Sequence, residues 1–394
     1  MKKLLPFVMI ICLLLSSCQL KNDFTPQEIT TSEEMRGVWI SCYDHISAQG
    51  KTEDEYRKEI DSMFRTISDC GLNTAFVHLR AFSDAFYESE IFPYSSLIAG
   101  TQGASLPFDP FRIMLECAKK YEISVHGWIN PFRISGKSDV SSISNNNPAK
   151  ALLESKNGEV CILPNGIYYN PACESNHKLI LDGVREIIDK YDIDGIHIDD
   201  YFYPAKDDVI DKIQYDEYLS QGGKLSLSEW RIIKVNSFVS ALYSAVKSAD
   251  KNLIVSISPA AEIEKNKNEL YADCELWLSS EGYADMIIPQ IYYGFNHDTL
   301  PFRKTLDKWG NLERHSSVTL ACGIAAYKCD ETYNYSDKNE SIDWMSRDNN
   351  LAMQVTKTRE NNNFRGFVVF SYQNLISESC SKEISNLVKT ITET

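Results

Sequence analysis

Asp194-Gly-Ile-His-Ile-Asp-Asp-Tyr201 reads as a short buried strand that ends in acid. Its two β-branched residues, Ile196 and Ile198, alternate with His197 and Asp199, so the two faces of the strand differ in polarity. If the isoleucines face a helix layer, His197, Asp199 and Tyr201 share the opposite, inner face, and Asp199 stands last before the loop. The segment just before it, His177–Tyr191, has helical periodicity: Leu179, Val184, Ile187 and Ile188 are apolar, and Lys178, Arg185, Glu186 and Lys190 are polar.

This helix-then-strand unit recurs along the chain. Strands are expected at Arg36–Cys42, Asn73–Arg80, Ile123–Pro131, Asp194–Tyr201, Leu253–Ala260, Ala284–Tyr293, Val318–Ala326 and Gly366–Tyr372. Helices are expected near Glu53–Cys70, Pro110–Tyr121, His177–Tyr191, Ser228–Ala249, Glu269–Glu281, Pro301–Trp309, Arg347–Asn362 and Glu378–Thr392. Strict alternation implies a parallel sheet. A doubly wound open sheet would carry a glycine-rich loop after its first strand, and Cys42-Tyr-Asp-His-Ile46 has no glycine. The expected fold class is therefore α/β, a single (β/α)8 TIM barrel. Its helix-to-strand links are tight (Gly71-Leu72, Glu122, Asp192-Ile193), while the loops after strands two, three, four and seven are long. Long βα loops on one rim build a site at the C-terminal face.

The first residues are an address rather than fold. Lys2 and Lys3 precede an apolar run, Leu4–Leu15, too short to span a bilayer, and Leu15-Ser-Ser-Cys18 follows as a lipoprotein cleavage site. The expected organisation is a signal peptide over 1–17, a lipidated linker over 18–35 and the barrel over 36–394. That places a monomer in the cell envelope, held to a membrane on its extracytoplasmic side by acyl chains on Cys18. The net charge of −15, with no basic run, argues against nucleic acid as a partner. Eleven cysteines include Cys12 of the leader and the lipidation site Cys18, and the remaining nine show no CxxC and no zinc spacing, so no metal or other cofactor is expected. Cys161 and Cys173 share one loop and could pair in an oxidising compartment.

The chemistry is expected where the strands end. Asp199 and Asp200 crowd one rim, and neighbouring like charges push one carboxyl to hold its proton. Glycoside cleavage needs that division, one carboxyl protonated and the other ionised. Glu262, just past strand five, is a third candidate for acid–base work. Substrate contacts are expected from Arg80, Asp84 and Tyr87 after strand two, Trp128, Asn130 and Arg133 after strand three, and His197, Tyr201 and Tyr203 around strand four. Gln290, Tyr292 and Tyr372 complete the set from strands six and eight. Aromatic rings among polar groups suit a polysaccharide. Cap or cation-ligand roles for the two aspartates, and a buried hydrogen-bonding role for His197, are the bland alternatives.

The chain also resembles a known family. Arg36-Gly-Val-Trp39, Asp84-Ala-Phe-Tyr87, His126-Gly-Trp-Ile-Asn-Pro-Phe-Arg133, Asp194-Gly-Ile-His-Ile-Asp-Asp-Tyr-Phe-Tyr-Pro204, Ile257-Ser-Pro259 and Pro289-Gln-Ile-Tyr-Tyr293 follow, in order, the pattern of glycosyl-hydrolase-like family 10. The resemblance implies an envelope lipoprotein that hydrolyses peptide-free glycan strands of peptidoglycan. Two rim segments depart from the pattern. Phe92-Pro-Tyr-Ser95 stands where the family often has Glu-Pro-Trp-Ser, and Ala260-Ala-Glu-Ile-Glu264 where it often has Phe-Gly-Ile-Trp-Arg. Hydrolysis of another polysaccharide and an inactive carbohydrate-binding lipoprotein are the competing readings. A metal-dependent deacetylase lacks its His-x-His or Asp/His ligand set on this rim.

The leader makes one prediction of its own. Cys18→Ala is expected to block processing by the lipoprotein peptidase and to abolish palmitate labelling; normal labelling of that variant would overturn the assignment.

Overall fold

The computed structural model describes residues 34–330 and 332–393. The predicted signal peptide, the lipidation site Cys18 and nearly all of the predicted linker lie outside them.

Eight parallel strands close into a barrel: β1 (Met35–Ile40), β2 (Thr74–Arg80), β3 (Ser124–Ile129), β4 (Gly195–Ile198), β5 (Ile254–Ile257), β6 (Met286–Ile287), β7 (Thr319–Ala325) and β8 (Phe364–Phe370). Closure is made by β1 pairing with both β2 and β8, in registers that set Gly37 beside Thr74 and Met35 beside Gly366. Between the strands run α1 (Glu53–Asp69), α2 (Pro110–Lys120), α3 (Glu174–Lys190), α4 (Leu227–Ala249), α5 (Cys274–Ser279), α6 (Phe302–Gly310) and α7 (Asn350–Glu360), and α8 (Ser381–Thr392) follows β8. The fold is the (β/α)8 TIM barrel that the alternation implied.

Several elements are shorter than the periodicity suggested, for local reasons. Strands three, five and six were expected to run through Pro131, Pro259 and Pro289, but a proline has no N–H for a parallel ladder, and each strand stops before it. The fifth helix was expected from Glu269; Tyr271 adopts φ 56°, and Asp273 then caps a shorter helix by accepting from Leu276 N. Elsewhere the caps fall where the sequence places them. Thr52 and Glu55 form a capping box on α1, as Ser226 and Glu229 do on α4.

The barrel separates two apolar regions. Inside lie Trp39, Phe76, Trp128, Ile288, Ala321 and Val368. The larger region fills the space between strands and helices and takes Ile196 and Ile198, so the predicted facing of β4 holds. At the N-terminal end the strands are clasped by short polar side chains. Asn73 Oδ1 accepts from Arg36 N at 2.9 Å, Asp194 Oδ2 from Val125 N at 2.7 Å, and Asp285 Oδ2 from Val255 N at 2.7 Å. Asp194, at the N-terminal end of β4 and away from the mouth, thus serves the strand ladder.

At the opposite face the loops carry extra structure. The β3 loop contains a three-stranded antiparallel sheet, Arg133–Ser135, Val160–Leu163 and Gly166–Tyr169, which the sequence reading missed. Cys161 and Cys173 on this loop are free thiols. The β4 loop is fastened by a fully buried ion pair in which Arg231 on α4 donates from Nε and Nη2 to both oxygens of Asp211, at 2.8 and 2.6 Å. Tyr203 donates to the same carboxylate at 2.9 Å. Removing one partner leaves the other charge buried alone, which costs about 3–5 kcal/mol. Asp211→Ala is therefore expected to lose that much stability in chemical denaturation, and a parent-like midpoint would show that the pair is not what holds this loop.

Candidate active site

At the C-terminal mouth the eight strand ends surround a cleft of about 520 Å³. Its floor is Trp39, His78 and Trp128, with the last two rings stacked 3.7 Å apart. Tyr292, Tyr327 and Phe370 form one aromatic wall, and Arg133 and Tyr201 form part of another. Asp199 and Asp200 both face into it, because β4 ends at Ile198 and the chain bends over the rim. They are the only carboxyl groups among its described lining residues.

The two acids sit in different settings. Asp199 is 4% exposed, and Oδ1 accepts from Tyr201 N at 3.3 Å. Burial raises its pKa well above the usual carboxylate range, the charge of Asp200 adds to the rise, and Arg133 and Trp128 oppose it. Asp200 is also raised by burial, but it accepts from Gln290 Nε2 at 3.3 Å, which favours its ionised form. Gln290 is itself fixed by donating to Ser258 O at 2.9 Å. Two adjacent buried carboxyls cannot both ionise cheaply. The proton stays on Asp199, the more deeply buried of the two, and Asp200 carries the charge.

Several lining atoms await a partner. Among the described residues Arg133 Nε and Ser258 Oγ have no hydrogen-bond partner, while Trp128 lies beside Asp199 and Asn130 beside His78 in contacts too loose to satisfy Trp128 Nε1 or Asn130 Oδ1 fully. Buried polar atoms are normally satisfied, so this cluster leaves hydrogen-bonding capacity on the cleft lining. Arg133 is held by aromatic faces, its guanidinium carbon 4.7 Å from the Phe82 ring centroid and 4.4 Å from that of Tyr201.

Of the predicted residues, Trp128, Asn130, Arg133, Asp199, Asp200, Tyr201, Gln290 and Tyr292 line this cleft, and the other seven do not. Arg80 is buried against Phe92 and donates to Pro131 O at 3.0 Å, because a β-bulge between His78 and Arg80 breaks the alternation of β2. Tyr87 donates to Glu186 on α3 at 3.2 Å, and Tyr203 belongs to the Arg231–Asp211 cluster. His197 does face inward, but below the cleft, with Nε2 accepting from Trp39 Nε1 at 3.1 Å and Nδ1 paired to Ser256 Oγ at 2.9 Å. It makes no hydrogen bond to Asp199 among the described residues. Tyr372 sits in a short helix and reaches toward Thr66 of α1. Glu262 sits at the start of the helix Ile263–Glu269, beside Tyr293. Asp84 lines a second cavity. The sequence reading also missed Trp39, Tyr43, His78, Ser258, Tyr327 and Phe370. Trp39 and Ser258 stood inside quoted motifs, and Tyr327 follows the end of β7, so their positions were available signals.

A polar, aromatic cleft with one protonated and one ionised carboxyl at the end of β4 suits the cutting of acetal links between sugars, and the class so defined is the glycoside hydrolases. Comparison with known proteins agrees and narrows it. The chain belongs to the glycosyl hydrolase-like 10 family, whose model matches residues 34–345. It is 30% identical to glycosyl hydrolase YngK of Bacillus subtilis (strain 168) over 370 residues, covering 88% of this chain and 69% of that protein. It is 24% identical to glycosyl hydrolase DigH of Escherichia coli (strain K12) over 340 residues, covering 76% of this chain and 75% of that one. Among solved structures, the catalytic domain of β-amylase from Paenibacillus polymyxa superposes with a TM-score of 0.53 at 9% identity, over 91% of this chain and 98% of that one, which shows a shared fold.

The buried acid has a thermodynamic consequence. A carboxyl whose folded pKa lies above its unfolded value binds more protons when folded, so stability falls as pH rises from about 4, the unfolded value, through the raised folded one. Asp199→Asn removes that cost. The variant is expected to melt close to the parent near the unfolded value and progressively above it toward neutral pH. A variant that melts below the parent throughout would mean that its surroundings stabilise the carboxylate.

Proposed function

We propose that this glycoside hydrolase cuts peptide-free glycan strands of cell-wall peptidoglycan, with Asp199 as proton donor and Asp200 as the ionised partner. The observation that carries the proposal is that the cleft's only described carboxyls are neighbours on one strand end. Retaining and inverting enzymes of the usual kind place two carboxyls on opposite sides of the scissile bond. With both on one side, attack at the anomeric carbon falls to a group the substrate brings. The 2-acetamido oxygen of an N-acetylated sugar is such a nucleophile, and ionised Asp200 can orient and polarise its N–H. Asp199 then gives its proton to the leaving oxygen, and water later attacks the anomeric carbon, breaking its bond to the acetamido oxygen and returning one proton to Asp199.

Arg133 points to the second feature of the substrate. A guanidinium at the mouth, with Nε unsatisfied and both faces covered by rings, is suited to pair with a carboxylate. A muramic residue stripped of its peptide carries a free lactyl carboxylate and an acetamido group on the same ring. Anchorage of the chain in the envelope through Cys18 would put the enzyme beside such strands.

Asp199→Asn is expected to lower kcat on glycan strands at least about a thousandfold, or ~4 kcal/mol in the barrier. It should recover on an activated aryl glycoside of N-acetylglucosamine, whose leaving group needs little protonation, while Asp200→Asn should not. Failure of Asp199→Asn to recover would remove the proton-donor role. Strands chemically stripped of their N-acetyl groups are expected to be cut at least about a hundredfold more slowly, a barrier increase of roughly 3 kcal/mol, and equal cleavage would sink substrate-assisted attack. Arg133→Lys is expected to raise KM about tenfold with a smaller effect on kcat, as the loss of bidentate pairing implies; an unchanged KM would remove the anionic-sugar reading.

A further inference from the structure

A second cavity, of about 590 Å³, opens beside the cleft. Tyr43 lines both and is 71% exposed, a ring standing at the surface between them. The two are also joined by a row of stacked groups: Tyr201 in the cleft, Arg133 over its ring, and Phe82, which covers the other face of Arg133 and lines the second cavity. This row leads away from the acids.

The second cavity has the chemistry of a sugar site rather than of a gap between loops. Phe82, Ile134 and Ile143 give it apolar walls, and Ser135 and Thr101 add polar groups. Asp84 is 3% exposed, and burial raises its pKa to about 6; its Oδ2 accepts from Gln102 Nε2 at 2.9 Å, while its Oδ1 makes no full hydrogen bond among the described residues, with the Ser95 side chain beside the carboxyl. Gln102 is fixed from behind, with Oε1 accepting from Ser144 N at 2.9 Å. A carboxylate clamped at one oxygen and a ring face beside it match one pyranose, which offers hydroxyls at its edge and C–H groups on its face.

We propose that this cavity is a distal subsite that binds a further sugar ring of the same polymer, reached across Tyr43, and that the enzyme therefore prefers long chains to short ones. The inference rests on the glycan-strand reading above. Nothing covalent happens at the subsite. It adds binding energy remote from the scissile bond, which an enzyme can use to hold the reacting sugar in place.

The test compares kcat/KM on long peptide-free glycan strands with kcat/KM on disaccharide fragments of the same strands. The readout is their ratio, for the parent and two variants. Asp84→Asn removes the buried carboxylate. Ser142→Trp fills the cavity from an exposed position on its wall, so it does not depend on the folding of an altered core. The parent is expected to favour long strands at least about tenfold (roughly 1.4 kcal/mol in the barrier), and each variant to lose most of that preference. A parent ratio near one, or a parent-like ratio in a folded Ser142→Trp, would overturn the subsite and leave the activity standing. A parent that cuts neither substrate would overturn the glycan-strand reading and this inference with it.

Discussion

Asp199 and Asp200 follow directly on a buried strand, and burial penalises the charged form of each. With both ionised, the end of β4 would hold two uncompensated charges in a low-dielectric pocket. Both carboxyls are therefore pushed toward holding a proton, and the surroundings decide which member keeps it. Gln290 donates to Asp200 and favours charge there. Asp199, more deeply buried, takes the proton. One protonated and one ionised carboxyl thus stand side by side, because the end of β4 hands over consecutive residues into one cleft.

That arrangement needs a rigid support beneath it, and the closed barrel supplies one. His197 lies under the acids with both ring nitrogens engaged, by Trp39 of β1 and Ser256 of β5. Burial lowers its pKa far enough to keep it neutral, so it adds no charge next to the pair. It works as a crosslink within the barrel, and the polar clasps at the strand bottoms do the same at the other end. Strand register thus fixes the end of β4, and the bend just beyond Ile198 turns both acids into the cleft.

Much of this was legible in the sequence, and what was missed has physical causes. Hydrophobic period, tight αβ links and long βα loops are local signals, and they led to the barrel and to the facing of Ile196, His197 and Ile198. Strand ends at Pro131, Pro259 and Pro289 were equally local, and the reading passed over them. Arg80 is different. Alternation on β2 puts it on the same face as His78, and only a bulge against β3 turns it away. A bulge is set by the neighbouring strand, which no local pattern reveals. Tyr87 and Tyr203 follow the same logic: closeness in sequence to a strand end does not say which way the loop turns. Of the aromatic residues that do line the cleft, Trp39, Trp128 and Phe370 come from the strands themselves, where alternation is informative, while Tyr43, Tyr201, Tyr292 and Tyr327 come from the loops that follow.

The small sheet in the β3 loop braces the residue proposed above to meet the substrate's carboxylate. Arg133 pairs in register with Tyr168, and Tyr169 is tied to Phe132 O and to Ser83, so the loop is cross-braced before it reaches the cleft. Arg133 leaves this brace and lies between Phe82 and Tyr201. Two aromatic faces displace much of the water from the guanidinium while leaving its edge free, and the edge is what a carboxylate needs. Under the function proposed above, a cation prepared in this way would pair with the substrate's anion at a small ordering cost, since its side chain is already immobilised. It also opposes the rise in the pKa of Asp199. An anionic group that pairs with Arg133 would screen that effect and let Asp199 hold its proton more firmly, so binding a carboxylated sugar would itself help keep the acid protonated when the leaving oxygen arrives.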